Sequence, residues 1–207
     1  MRINRTIIRS VVLTAAAIGA VTVTAACGGD GHGSGHTAEQ PATATSAPVS
    51  TAGHNQADIA FAQGMVPHHQ QAVQMAEMAE SRASDPQVKS LASKIRTAQQ
   101  PEIDQMTAWL REWGAATASA SAGGHGMHGG MPGMMTDQDM AAMERANGDE
   151  FDRMFLEMMI RHHQGAVQMA STEAQQGQNP AARSLAEKIK ADQTAEISQM
   201  QSLLNNR

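Results

Sequence analysis

Two histidine doublets, His68-His69 and His162-His163, stand in the same local setting. Met65 and Met159 come three residues before the first imidazole of each doublet, and Met75 and Met169 follow seven residues after it. On an α-helix, positions three, four and seven apart share one face, so each leading histidine lies on a stripe with two thioethers. His69 and His163 sit at the edge of those stripes. Further along the chain a carboxylate and another thioether recur, as Glu102 with Met106 and Glu196 with Met200. A buried carboxylate or imidazolium is costly unless it is paired or bound to a metal. Imidazole suits copper and zinc, whereas a thioether is a poor ligand for Mg or Ca and a good one for Cu(I).

These pairs recur because the chain repeats itself. Asp58–Met106 lies on Asp152–Met200 at a constant offset of 94 residues, without a gap and with 22 of 49 positions identical. A repeat of this length is one supersecondary unit used twice. In the first unit Phe61, Met65, His68, Ala72, Met75 and Ala79 step by three and four, the helical period; Phe155, Met159, His162, Ala166 and Met169 repeat it. On the following segment Ile95, Gln99, Glu102 and Met106 do the same, so a glutamine and a carboxylate interrupt an apolar stripe.

Asp85-Pro86 and Asn179-Pro180 each place a capping side chain before a proline at the first helical position. Thr136-Asp137-Gln138-Asp139 reads as a capping box opening the third helix, and Gly177 as its end. Strand signals are nearly absent, with no Tyr and no alternating Val/Ile run. The expected fold is all-α: an antiparallel four-helix bundle made of two repeated hairpins, with a pseudo-two-fold axis. Pro67 and Pro101 fall inside the first two helices, where proline costs roughly 3 kcal/mol and bends the axis. The second repeat has Arg161 and Ala195 there, so the two halves should present their ligands differently.

The segments outside the repeats have other compositions. Residues 1–26 read as a signal peptide, with Arg2, Arg5 and Arg9 ahead of an apolar stretch too short for a membrane span. Thr24-Ala25-Ala26-Cys27 resembles a lipobox, although Thr24 stands where Leu is usual, and it makes Cys27, the only cysteine, the expected site of a palmitate-type lipid anchor. Ordinary signal cleavage leaving a free thiol is the competing outcome. Residues 27–56 form a Gly/Ala/Thr/His tether carrying His32, His36 and His54. Hairpins at 57–113 and 137–207 flank a Gly/Met/His-rich linker, 114–136, with weaker ligand candidates His125, Met127, His128, Met131, Met134 and Met135. Packing does not explain methionine in a segment with no core to fill; metal capture does.

The net charge of −5 becomes −8 once the three leader arginines are removed, which argues against nucleic acid and against docking on an anionic membrane. No Glu-x-x-His pair of the di-iron type is present, since Met65 and Met159 hold the position three before each doublet and Glu157 is five before His162. No nucleophile–base–acid set is readable either, so an enzyme is not expected.

The doubled pattern F-x3-M-x2-HHQ-x-A-x2-MA, followed by P-x4-LA-x-KI and Q-x2-EI-x2-M, resembles the bacterial family catalogued as domain of unknown function 305. The resemblance covers Asp58–Trp113 and Gln138–Leu204. It implies a ferritin-like bundle, export, and binding of copper or silver through His and Met. Carried over by position, it implicates Met65, His68, His69 and Met75, and Met159, His162, His163 and Met169. Pro67 belongs to the usual form of the motif, and Arg161 departs from it.

Together these features predict a lipoprotein on the outer face of the cell membrane that sequesters copper as Cu(I), with silver as a mimic. Zinc is the secondary metal; it would fit the His/Glu groups but leave the methionines unexplained. The expected partners are the metal ion, the membrane through the anchor at Cys27, and either a second copy of the chain or a copper-handling protein. The alternative is a helical interaction module whose His/Glu pairs are structural, since methionine stripes commonly serve packing alone. A small copper oxidase or reductase is a third option.

Overall fold

The computed structural model describes residues 53–117 and 131–207. The expected leader, Cys27, most of the tether, and His125, Met127 and His128 lie outside the described residues.

Helix α1 (Gln56–Arg82) and α2 (Pro86–Glu112) form the first hairpin; α4 (Gly148–Gln176) and α5 (Pro180–Asn205) form the second. The caps explain where each helix begins. Asn55 accepts from the N–H groups of Ala57 and Asp58 while Asp58 takes the Asn55 N–H at 2.6 Å, a closed capping box. Asp85 and Asn179 cap α2 and α5 ahead of their prolines, as the sequence predicts. Helices α1 and α2 both run uninterrupted through Pro67 and Pro101.

One expectation is corrected. The Thr136–Asp139 capping box opens a separate nine-residue helix, α3 (Asp137–Arg145), and not the long third helix. The chain then breaks at Ala146-Asn147, and Gly148, the first residue of α4, takes φ +61°, a conformation that favours glycine. Gly177 does follow α4, but with φ −65°, so no left-handed cap requires it. A Cβ there would run into the Glu173 carboxyl, and close approach is the reason for glycine.

The hairpins meet mainly through α1 and α4, while α2 and α5 touch little. The repeat also explains how they are fastened. Asp58, buried at the start of α1, accepts from the backbone N–H groups of Gln178 and Asn179 in the α4–α5 turn. Its counterpart Asp152, buried in α4, accepts from Ser84 N–H and Oγ and from Asp85 N–H in the α1–α2 turn. Each hairpin thus clasps the turn of the other. Donors that the turns cannot satisfy internally are satisfied by a carboxylate, a charge-assisted bond stronger than a neutral one.

Two apolar clusters fill the bundle. One gathers Met75, Ile95, Phe155, Met159 and Met200; the other gathers Phe61, Met65, Ile103, Met106 and Ile189, with Met169 against it. Along α1 the doublet His68-His69 falls between Met65 of the second cluster and Met75 of the first. Along α4, His162-His163 falls between Met159 of the first and Ala166 of the second. The histidines therefore form a polar layer between two apolar cores.

Candidate metal centre

All four histidines are buried, with at most 1 % exposure. His68 on α1 and His162 on α4 meet where the helices cross, ring centroids 3.8 Å apart and tilted by 40°. His69 and His163 turn toward their own hairpins. His69 Nε2 is 3.0 Å from Glu102 Oε2, and His163 Nε2 is 2.6 Å from Glu196 Oε2. Lys188 on α5 reaches across to Glu102 Oε1 at 2.9 Å.

These partners decide the tautomers. Carbonyl and carboxylate oxygens only accept, so His69 and His163 each donate Nε2–H to their glutamate, and His68 donates Nε2–H to the Pro132 carbonyl at 3.1 Å. A neutral ring then carries a bare lone pair on Nδ1. The Nδ1 atoms of His68, His69 and His163 are buried without a hydrogen-bond partner, and both ring nitrogens of His162 are too. Each such orphan costs on the order of 1–3 kcal/mol. The neighbouring Gln99 and Gln193 amides, buried and repeat-equivalent, also leave polar atoms unpaired.

Electrostatics keep His68, His69 and His162 neutral. Burial, reinforced by the neighbouring His69, lowers the His68 pKa to about 3. Burial and the three other imidazoles push His162 well below the usual range. Burial also lowers His69, with the Glu102 carboxylate offsetting only part of it. Burial alone would raise Glu102, but the bonds from His69 and Lys188 outweigh it and keep the carboxyl below its ordinary value. His68, His69 and His162 are thus in the neutral form that a metal needs.

Glu102 and Glu196 stand behind the imidazoles, holding the distal N–H as carboxylates do in carboxylate–histidine–metal relays. That geometry orients the ring and raises the basicity of Nδ1. The thioethers partition by half. Met65, Met106 and Met169 flank one side of the layer and Met159, Met200 and Met75 the other, each trio drawing two members from one hairpin and one from the other. Met169 alone of the six is not fully buried. Among the described residues no three His, Cys, Asp or Glu side chains are grouped to hold an ion by themselves. Imidazole and thioether are the soft-metal ligand types that this part of the bundle carries.

A strap seals the layer. Residues 131–135 run over the α1–α4 crossing, with Gln71 Nε2 donating to the Met135 carbonyl at 2.9 Å and Met135 N–H donating to Gln71 Oε1 at 2.7 Å. Gly133, at φ +80°, lies on the backbone carbonyls of Arg161 and His162, and a Cβ at Gly165 would collide with the Pro132 carbonyl. Gln71 and Gly165 occupy the same position in the two repeats, so one grips the strap and the other makes room for it. Of the linker candidates, Met135 is buried in the first core with Arg161 near its sulfur, Met134 lines a surface cavity, and the Met131 sulfur lies near Gly64. His54, from the tether, stacks on Trp113 at 4.9 Å, away from the layer. Sequence reasoning missed Gln71, Gly165 and Lys188 as parts of the site. Only the glutamines at 99 and 193 carried a signal, as polar breaks in an apolar stripe.

A helical bundle with a doubled His/Met layer defines the class. Residues 58–204 match the family described as Domain of unknown function (DUF305), and the chain belongs to it. A crystal structure of a DUF305 protein from Streptomyces coelicolor, named as secreted, is similar at 33% identity and TM-score 0.66, covering 72% of this chain and 93% of that one. CopM in a Cu(II)-bound form is similar at 39% identity and TM-score 0.63, covering 72% of this chain and 96% of that one; CopM is also known in Cu(I)-bound and Ag-bound forms. An uncharacterized protein, L153, of Acanthamoeba polyphaga mimivirus is 40% identical over 55 residues. That stretch is 27% of this chain and 36% of the viral protein, so the chain spans about a third of that curated relative.

Proposed function

We propose that this protein binds copper outside the cytoplasm, as Cu(I), and sequesters it. The observation that carries this reading is the layer of four buried imidazoles with five unpartnered ring nitrogens, flanked by two methionine trios. Thioether with imidazole selects Cu(I) over hard cations. A zinc site built from His and carboxylate alone wants three or four such ligands together, and no such group is present among the described residues. The likeness to CopM, which binds copper and silver, supports the same conclusion.

The reading is of a binding protein and not an enzyme. The histidines lie beneath a strap, while the larger surface cavities, of about 1160 and 780 Å3, are lined by other residues. Export rests on the leader, with Cys27 as the lipid anchor on the outer membrane face. No described helix is long and apolar enough to cross a membrane.

The test is a Cu(I) competition titration of the full chain, wild type against His68→Ala/His162→Ala, with helicity followed by circular dichroism. The double variant should bind fewer Cu(I) ions at near-native helicity. A wild type that holds no Cu(I), with a double variant that unfolds, would make the imidazoles core fixtures. The chain would then be an interaction module.

A further inference from the structure

Gly64 sits in the middle of α1, where its repeat counterpart on α4 is Met158. A glycine in a helix interior is destabilising relative to alanine. Nothing in the backbone requires it, since the positive-φ glycines among the described residues are 114, 133 and 148. Nor does close packing, because a Cβ at position 64 would make only ordinary contacts, 3.5 Å from Met169 Sδ and 3.9 Å from Met131 Sδ. Beside the glycine lie two thioether sulfurs, one from α4 and one from the strap.

The other half of the bundle shows the contrast. There Met158 carries a full side chain and is 8 % exposed, and Met75, the counterpart of Met169, is fully buried in the same core cluster. Met131 and Met169 are only half-buried. One half is packed shut, and the other keeps two sulfur atoms at an open rim. Met131 is also one residue before Pro132, whose carbonyl occupies His68 Nε2.

We propose that Met131 and Met169 form a second, surface-accessible subsite over Gly64 for a soft monovalent cation, Cu(I) or Ag(I), at the entrance to the histidine layer. This deepens the copper-binding reading and rests on it. Two neutral thioethers favour a soft monovalent ion and offer little to Zn(II) or to hard cations. A larger side chain at position 64 would press on both sulfurs, and no histidine side chain lies within 4 Å of a Cβ there.

The experiment is a titration of the full chain, labelled with 13C at the methionine methyls, by Ag(I), which is redox-inert and diamagnetic. The methyl signals of Met131 and Met169 should shift together in one titration step. Gly64→Leu, and separately Met131→Leu, should each remove one Ag(I) equivalent while the histidine ring signals still respond. Circular dichroism checks that the variants remain helical, and Met131→Leu serves if Gly64→Leu does not fold. Histidine rings that respond while these two methyls stay fixed would overturn the subsite and leave copper binding standing. Methyl shifts without any histidine response would keep the subsite and overturn the histidine layer. No response anywhere would overturn both.

Discussion

Each imidazole of the layer is set by what it donates to. Glu102 and Glu196 hold the Nε2–H of His69 and His163 and leave Nδ1 as the donor atom. Removing such a carboxylate behind a metal-ligating histidine typically weakens metal binding about 10–100-fold. Glu102→Ala should therefore lower Cu(I) affinity by about that factor with helicity retained, measured by competition with a chelator of known affinity. Unchanged affinity would show that the glutamates only satisfy buried histidines. Glu173 offers a separate test. It is buried against Asp58, and burial together with that neighbour raises its pKa to about 8, from an ordinary 4.5. The folded chain thus holds a proton that the unfolded chain releases above pH 4.5. Stability should fall as pH rises from about 4.5 to 8 and level off beyond. Glu173→Gln removes the ionisation, so it should flatten this slope and raise stability near pH 7 by roughly 1–3 kcal/mol. Denaturant melts across that pH range check it, and an unchanged slope would contradict the assignment.

The helices are where sequence and structure agree best, and the strap is where they part. Asp85-Pro86 and Asn179-Pro180 announce two helix starts because capping is local chemistry, written in adjacent residues. The break between α3 and α4 was also written there, as Asn147-Gly148, a turn-forming pair that the strong Thr136 capping box overshadowed. The strap left no such mark. Its contacts are backbone atoms of Pro132 and Gly133 against Gly165 and the α4 carbonyls, and backbone contact has no hydrophobic period. The helical stripes place an imidazole and a carboxylate in each hairpin, and the structure shows that His69, at the edge of its stripe, is the one that meets Glu102. The meeting of His68 with His162 depends on the register of the α1–α4 crossing, which no local pattern specifies. The strap account predicts that Gly165→Val, whose Cβ would strike the Pro132 carbonyl, lifts residues 131–135. That should cost about 1–3 kcal/mol and speed amide exchange at Met135. Native protection at Met135 in this variant would contradict it.

The two hairpins behave as one body because each holds the other's turn. Asp58 clasps the α4–α5 turn, Asp152 clasps the α1–α2 turn, and the histidine layer lies at the α1–α4 crossing between them. Both tryptophans, Trp109 and Trp113, lie at the end of the first hairpin, so fluorescence reports that hairpin while circular dichroism reports all the helices. The two signals should give coincident denaturant transitions in the metal-free chain. Separate midpoints would mean hairpins that unfold independently. Metal binding across the α1–α4 crossing should raise that shared midpoint, because an ion bound only by the folded state stabilises it by mass action.

The central claim is that soft metal is held by imidazole and thioether together, and the most direct measurement is X-ray absorption on the full chain loaded with Cu(I). The account predicts a first shell containing both nitrogen and sulfur, with the nitrogen contribution reduced in His68→Ala/His162→Ala. A shell of nitrogen and oxygen alone, with no sulfur, would contradict it.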